Sequence, residues 1–572
     1  MSEMTNLFGR GVRRTSGEES RRLNLLAAIL ISDLVKNLLG PRGLEKMFVD
    51  ILGEVTVTKD GATLLRKIDV EHPAARLVIE GSNAVDNEVG DGTTSVVVLT
   101  GALLRHATSL LDLGIAPRII IDGYLRGLQL YLEYLENLAK AFPNNDRNVI
   151  GGLIDTSLKP KMIFSTFDQG TVTKLVTDAI FAIADFEQNK IELDDIKIEE
   201  SLGNMNGTAL VDGVVIDKTI DNPSMPRTAE NAKILLLDED LEARRTKTEA
   251  EIIATSPQQL QEYISKEQLT ISLKVKAIVG SGANVIFSRK GISVHAQSQL
   301  SKAGIISIRR VKENDIHWLE KATGAQVVRD IDGNTSLPKY MGYAKRVEEK
   351  NIGLDKMVFV EGCRNPKSVT LLLRTSSKRL LDEYHRSILD AMAVARNFVF
   401  KPHVVGGGGS SEIMIANWIR KKATSVGGRQ QIVLQKFSDA IEEIPLTIAR
   451  NAGMNIIDTI TEMRAKHQNN YPSFGKSNGY SWIGIDAIQR KVTEVFDNRI
   501  IETALVKEQI IKTAVEVSTL LLGVEDVIMA KPTEFTHTHS DGTKHSHARG
   551  NEKHDHYFDR LGKQQRPTHH YY

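Results

Sequence analysis

The stretch "VGDGTTSVVVLTGALLRHA", Val89 to Ala107, sets a carboxylate between two glycines, adds hydroxyls and runs straight into an apolar segment. Its pattern predicts a helix from Thr94 towards Gly114, opened by Gly92, Thr93, Thr94 and Ser95. Unpaired N–H groups and the helix dipole favour an anion at such a start. The glycines let backbone come close to a ligand, and the hydroxyls add donors. A carboxylate there would repel a triphosphate unless a cation intervened. Asp91 therefore reads as a Mg²⁺ ligand, since Mg²⁺ usually bridges one or two carboxylates and phosphate oxygens. The other reading is a plain Asp/Thr cap on a structural helix. No P-loop lysine follows: the only "GKS", Gly475 to Ser477, has Asn470 where the first Walker A glycine belongs. G-x-G-x-x-G, zinc-type cysteine and H-E-x-x-H patterns are missing as well.

Working outward, residues from about 20 to 145 read as mostly helical. "RRLNLLAAILISDLVKNLLG" has helical apolar spacing and ends on Gly40, a good residue just past a helix end. "VTVTKDG" alternates like a short strand and turns at Asp60-Gly61. From about 210 to 370, β-type runs ("KILLLD", "VKAIVG", "NVIFSR", "GIISIRRV", "KMVFVEG", "SVTLLLR") alternate with helical stretches. From about 378 to 530 helices dominate again, interrupted by "GGGG" at Gly406 to Gly409. An α/β segment thus sits between two helical ones. Two helical halves split by an insertion can form one domain, which the pattern leaves open.

The chain has 572 residues, enough for roughly three or four domains. Its 73 basic and 72 acidic residues give no global argument for nucleic acid or an anionic membrane. Cys363 is the only cysteine, which excludes an internal disulfide framework and fits a reducing cytosol. The N-terminus lacks the apolar core of a signal peptide, and no run reaches the ~18 apolar residues of a membrane span. A cytoplasmic protein with no membrane segment is expected. The last forty residues are polar and hold eight of the fifteen histidines; they are expected to be disordered.

Two further carboxylates stand out. Asp60 lies in "TVTKDGATLL", where Asp-Gly is most simply a turn. Asp390 lies among Ile388, Leu389, Ala391 and Met392; burying it unpaired would be costly, so it is either exposed or paired.

A resemblance covers nearly the whole chain. "LGPRGLEKMFVD", "KDGATLL", "GDGTTSVVVLTGALL", "GVVIDK", "SGANVIFSRKGIS", "KAGIISIRRV", "ATGAQVV", "KMVFVEGCRNPKSVTLLLR", "VVGGGGSSEI" and "VKEQIIKTAVEVSTLLLGVEDVI" occur in that order. The set resembles a group II chaperonin, as in archaeal thermosome or eukaryotic CCT subunits. "GDGTT" and "KDGAT" are shared with bacterial group I chaperonins, whereas "KMVFVEGC" and "IRRV" are similar to group II.

The resemblance implies a multi-domain α+β chain. A mostly helical equatorial domain would be built from two segments, 1–147 and 405–531. A small intermediate domain (148–217 and 370–404) would link it to an α/β apical domain (218–369), with 532–572 as the His-rich tail. It further implies an ATP hydrolase that needs ATP and Mg²⁺, in two stacked rings of eight or nine like or unlike subunits, enclosing unfolded client proteins. "DLEARRTKTEAEIIATSPQQLQEYISKEQL" resembles a helical protrusion that forms a built-in lid, so no separate lid protein is expected. By motif position, Asp91 resembles the Mg²⁺ ligand, and Gly40, Gly61, Gly92, Thr93, Thr94, Ser95, Lys161, Gly408 and Glu502 fall around the nucleotide. Asp60 and Asp390 match the carboxylates that position the attacking water.

The chain departs from the family pattern at Thr375-Ser376-Ser377, where glycines are common at a hinge; at Lys159-Pro160-Lys161, in place of "SSK"; and at Thr503, where a proline usually follows the acidic residue. The tail departs most. His537/His539, His545/His547 and His554/His556 form H-x-H pairs that suit Zn²⁺, Ni²⁺ or Cu²⁺, or simply make a solubilising tail. The competing class is a nucleotide-controlled ring or filament scaffold, a passive holder of proteins or a binder of membranes or RNA. The near-neutral composition and the lack of basic aromatic stripes disfavour nucleic acid.

Overall fold

A computed structural model of the protein describes residues 13–161, 169–204, 207–242, 257–331, 336–353, 355–363, 368–468, 482–529, 534–538 and 544–548. The chain divides into two compact units, one of residues Met1–Leu23 with Val524–Tyr572 and one of Asn24–Gly523.

In the terminal unit, the strand Arg13–Ser16 pairs antiparallel with Asp526–Met529. A hairpin pairs Glu534–Thr538 with Lys544–Ala548, His537 facing His545 in register. That corrects the expectation of disorder for these ten residues. Histidine composition argues against a core, but "EFTHT" and "KHSHA" alternate as strands do.

In the larger unit, the helices of both chain halves share one core. Thr93–Asp112 packs against Gly428–Ile441 and Ala504–Gly523. Tyr124, on Pro117–Leu138, is fully buried against Phe437 with ring centroids 5.6 Å apart, and its hydroxyl donates to the Leu103 carbonyl at 2.7 Å. Tyr134 stacks on Trp418 at 4.9 Å. Aromatic pairs of this kind add about 0.5–1.5 kcal/mol each beyond the area they bury. Here they tie segments some 300 residues apart in sequence. By length and composition the helix Thr93–Asp112 is apolar enough to cross a membrane. Its Val96 to Leu104 stretch is buried in the protein core, which accounts for its apolarity.

A seven-stranded sheet lies within residues 213–363. In spatial order it runs Ile306–Ile308, Val285–Ser288, Thr228–Leu237, Gly342–Ile352, Asp355–Cys363 and Gly213–Ile216, with Val327–Val328 also paired to Thr228–Leu237. Its first three strands are parallel and joined through helices, as parallel crossovers require. Ile234, Leu236, Phe287 and Ile306 help form a core separate from the helical one. Gly213–Ile216 belongs to this sheet, although the sequence reading put it in the linking segment. "VKAIVG" is not a strand: Val275 and Ile278 are buried on the helix Pro257–Ser281. Six apolar-rich residues do not distinguish a period of two from one of 3.6. Of the expected lid segment, residues 243–256 lie outside the described residues.

Between the two cores, Ile196–Leu202 runs parallel to Val369–Thr375, which also pairs antiparallel with Ala209–Val211. The seam to the larger sheet is part apolar, where Val211 and Leu372 cluster with Val215, Met357 and Phe359, and part polar. Buried Lys197 reaches Asp315 at 2.6 Å and Glu199 at 2.7 Å. The departing Thr375-Ser376-Ser377 turn is ordered by hydroxyls: Thr375 Oγ1 donates to the Ser377 carbonyl at 2.8 Å, and Ser377 caps the helix Lys378–Phe400.

Candidate functional site

Two helix starts meet at one cavity. Gly90 and Gly92 both adopt left-handed backbone (φ 67° and 85°), which turns the chain sharply from Pro73–Val89 into Thr93–Asp112. A side chain at Gly92 would also lie 2.6 Å from Ile510 Cδ1. Asp91 sits between them and accepts from the Gly92 N–H at 2.7 Å. The second start is Gly61–Lys67, capped by Asp60, which accepts from Ala62 N at 3.2 Å and Thr63 N at 2.8 Å. Thr93 Oγ1 donates to the same Asp60 carboxylate at 3.3 Å, so the two starts are joined through one side chain. Asp60 is thus a helix cap that also lines the cavity.

The cavity measures about 370 Å³, within the range of small-molecule sites. Asp60, Asp91 and Asp390 line it, as do Gly92, Thr93, Thr94 and Ser95 from the main helix start. Gly40, Lys161, Gly408 and Glu502 complete the expected set. Gly61 does not line it; it is buried behind Thr94, whose hydroxyl a side chain there would meet at 2.6 Å. Gly408 has φ 61°, and a Cβ on it would lie 2.5 Å from the Ile485 carbonyl oxygen, so only bare backbone fits.

Asp390 is the paired case, not the exposed one. It comes from Lys378–Phe400, and its carboxylate meets Lys161 Nζ at 2.9 Å across 229 residues of sequence. Burial pushes its pKa up to about 7, with Asp60 adding to the rise and the Lys161 ammonium opposing it. Burial also raises the Asp91 carboxyl, against the pull of Lys161 and the Gly92 N–H. Asp60 goes the other way: burial would raise it, but Lys161 and the Thr63 and Ala62 hydrogen bonds hold it below the usual range. Crowded carboxylates share one lysine here, and such a field favours a further cation.

The donor set suits a hard one. All the acids are oxygen ligands, and among the described residues no group of three or more histidine, cysteine or acidic side chains could hold a metal by itself. Mg²⁺ is the ion that characteristically takes few protein ligands and fills its shell from water and phosphate. The residues present therefore fit Mg²⁺ brought with a phosphate ligand.

Sequence reasoning missed several members. Lys59 lines the cavity, donates to the Pro41 carbonyl at 3.2 Å and has its pKa lowered to about 8 by burial and by Lys161. Lys507 is buried behind Glu502, with Nζ 2.5 Å from Glu502 and 2.6 Å from Glu412. Burial would lower its pKa, but the two glutamates outweigh that and raise it. Glu502, on Ile501–Thr503, has its own pKa raised by burial despite Lys507. A lysine flanked by Val506 and Ile510 in "ALVKEQII" was the available signal. Asp486, Gln489 and Asn498 also line the cavity, with nothing in their local sequence to mark them. Of the tail histidines, His537, His545 and His547 belong to the hairpin strands, and His539, His554 and His556 lie outside the described residues.

Comparison with known proteins gives a consistent picture. The description of the TCP-1/cpn60 chaperonin family matches residues 31–532. The thermosome subunit alpha of Aeropyrum pernix is 40% identical over 523 residues, spanning 91% of this chain and 92% of the relative. The thermosome subunit beta of Archaeoglobus fulgidus is 41% identical over 527 residues (92% and 94%). The thermosome subunit of Methanocaldococcus jannaschii is 41% identical over 521 residues (91% and 94%).

Proposed function

The chain belongs to the TCP-1/cpn60 chaperonin family as a group II subunit, and from that premise we propose that it is an ATP-hydrolysing, Mg²⁺-dependent protein-folding machine of the cytoplasm. The observation that carries the reading is the convergence of Asp60, Asp91 and Asp390 from three separate helix contexts on one cavity. In it, the N–H groups of Gly92 to Ser95 and the Lys161 ammonium hold the phosphates. Asp91 holds Mg²⁺, which when bound screens the phosphate charge. Asp60 and Asp390 orient the attacking water. Ordinary carboxylates are weak bases, so that work is orientation and electrostatics more than proton abstraction. Glu502 is set against the ribose, and Gly40 and Gly408 keep side chains out of the nucleotide's way, while Gly61 packs behind Thr94.

The proposed layout follows from the same premise: equatorial 1–147 and 405–531, intermediate 148–217 and 370–404, apical 218–369. The separate cores, and the three-stranded sheet between them, support it, with Gly213–Ile216 moved to the apical side. Subunits of this kind assemble with others into two stacked rings of eight or nine around client proteins, closed by their own apical protrusion. Because Asp390 stands on the intermediate helix and Asp60 and Asp91 on the equatorial part, closure sets the third carboxylate in place, and an open ring hydrolyses slowly.

The test is refolding of a denatured enzyme by the purified particle, with and without ATP. ATP-dependent recovery is expected. Recovery that ignores ATP would favour the passive scaffold instead. Asp91→Ala is expected to weaken nucleotide binding at least about tenfold in Mg²⁺ (a change of about 1.4 kcal/mol) and to have little effect in EDTA. Calorimetric titration under both conditions reads this directly, and an equal loss in EDTA would remove Asp91 from the metal.

A further inference from the structure

Thr58 is buried two residues before Asp60, and its hydroxyl faces two ways. It accepts from the Asp60 backbone N–H at 3.0 Å and donates to Glu383 Oε2 at 3.2 Å, across 325 residues of sequence. A hydroxyl has one proton. Given to Glu383, that proton leaves the lone pairs free for the Asp60 N–H, so the carboxylate fixes which way the hydroxyl points. Glu383 is held in turn by Arg386 Nη2 at 2.7 Å. It stands on the helix Lys378–Phe400, seven residues before Asp390, and seven residues is close to two turns. Both carboxylates therefore lie on one face of that helix. A threonine hydroxyl that accepts from the N–H two residues on is by itself an ordinary turn device. Such a turn needs no carboxylate from a distant helix, and here one is supplied.

From these contacts we propose that Thr58 is a positioning residue for ATP hydrolysis, tying Asp60 to Glu383 so that one helix sets both water-orienting carboxylates. The helix carries Asp390 directly and reaches Asp60 through the Thr58 hydroxyl. Thr58 has this part only if Asp60 and Asp390 have the roles proposed above. The Asp60 carboxylate is already gripped by Ala62 N, Thr63 N and Thr93 Oγ1, all from the two helix starts. The hydrogen bond at its backbone N–H is the one that leads on to Lys378–Phe400. A hydrogen bond to an ionised partner is roughly twice as strong as a neutral one, and burial of Thr58 keeps water from competing for it. Movement of the helix therefore displaces two carboxylates at once. A water held between them is sensitive to that, since a misplacement of about 1 Å can cost about a hundredfold in rate.

The experiment measures steady-state ATP hydrolysis and calorimetric ATP binding on the assembled full-length protein. Thr58→Val keeps the shape and removes the hydroxyl. Its kcat is expected to fall at least about fivefold with ATP affinity within about threefold, the split of a group that serves the transition state. Thr58→Ser restores the hydroxyl and is expected to stay within about twofold of wild type. Glu383→Gln leaves the turn intact and is also expected to lower kcat. The double variant Thr58→Val with Glu383→Gln is expected to be no slower than Thr58→Val alone, because residues acting as one unit are not additive. Losses that multiply would overturn the proposal. So would a Thr58→Ser protein as slow as Thr58→Val, or an equal fall in ATP affinity, which marks a local defect in the turn. Asp60→Ala separates this result from the reading of the site. Full activity in Thr58→Val beside an inactive Asp60→Ala removes the role of Thr58 alone, whereas an active Asp60→Ala removes both.

Discussion

Asp390→Ala is expected to reduce steady-state ATP hydrolysis about a hundredfold or more while leaving ATP affinity within about threefold, the pattern of a group that serves the transition state and not binding. Asp390 is an anion beside the site of a triphosphate, so removing it takes away no attraction for the nucleotide. It also frees Lys161, now held at 2.9 Å, to turn fully to the phosphates. What is lost is orientation of the water. Asp390→Asn separates charge from volume and is expected to be nearly as inactive. The raised pKa of about 7 adds a pH signature. This carboxyl is neutral below that value and charged above it, so the wild-type rate is expected to fall as pH is lowered towards and through 7. Bound Mg²⁺ would stabilise the charged form and move the fall lower. Phosphate release and calorimetric binding on the same preparations check both halves. Equal loss of binding and hydrolysis would remove Asp390 from its role, and retained hydrolysis would do so outright.

How much of this was legible depended on the range over which each feature is encoded. The turn at Gly90-Asp91-Gly92 and the helix behind it are written in adjacent residues, and so is the cap at Asp60; these could be read directly. The pairing of Asp390 with Lys161 spans 229 positions. Sequence could say only that a carboxylate on an apolar helix must be exposed or paired. The shared core of the two helical halves was likewise open, because the Tyr124–Phe437 and Tyr134–Trp418 contacts join segments with the whole α/β region between them. "VKAIVG" failed for a local reason: its apolar residues suit either period, and the helix that claims them begins at Pro257. In the tail, composition spoke for disorder while alternation spoke for strands, and weighing only the first hid the hairpin. Order of the motifs along the chain carried the family, yet it could not mark the residue within a motif, "VKEQII", that pairs with a distant one.

Lys507 is that residue, and Lys507→Met is expected to destabilise the subunit by about 3–5 kcal/mol, the usual cost of stranding one member of a buried ion pair. Lys507 is 4% exposed and Glu412 fully buried, with 2.6 Å between their charges. Ser411 Oγ also donates to Glu412 at 2.9 Å, but a neutral hydroxyl does not balance a carboxylate. Methionine keeps most of the lysine's volume, so the loss reports charge and not a cavity. Against a typical domain stability of about 5–15 kcal/mol, that loss should be plain as a lower urea midpoint. The double variant Lys507→Met with Glu412→Leu removes both charges and is expected to recover most of it, because apolar pairs often replace buried ion pairs without penalty. Glu502 keeps its place at the cavity wall in both variants, with 29% of its side-chain surface exposed, and can be solvated there. A single variant as stable as wild type would show that the buried charges are not coupled. A double variant no better than the single would assign the loss to packing around Val506 and Ile510 instead.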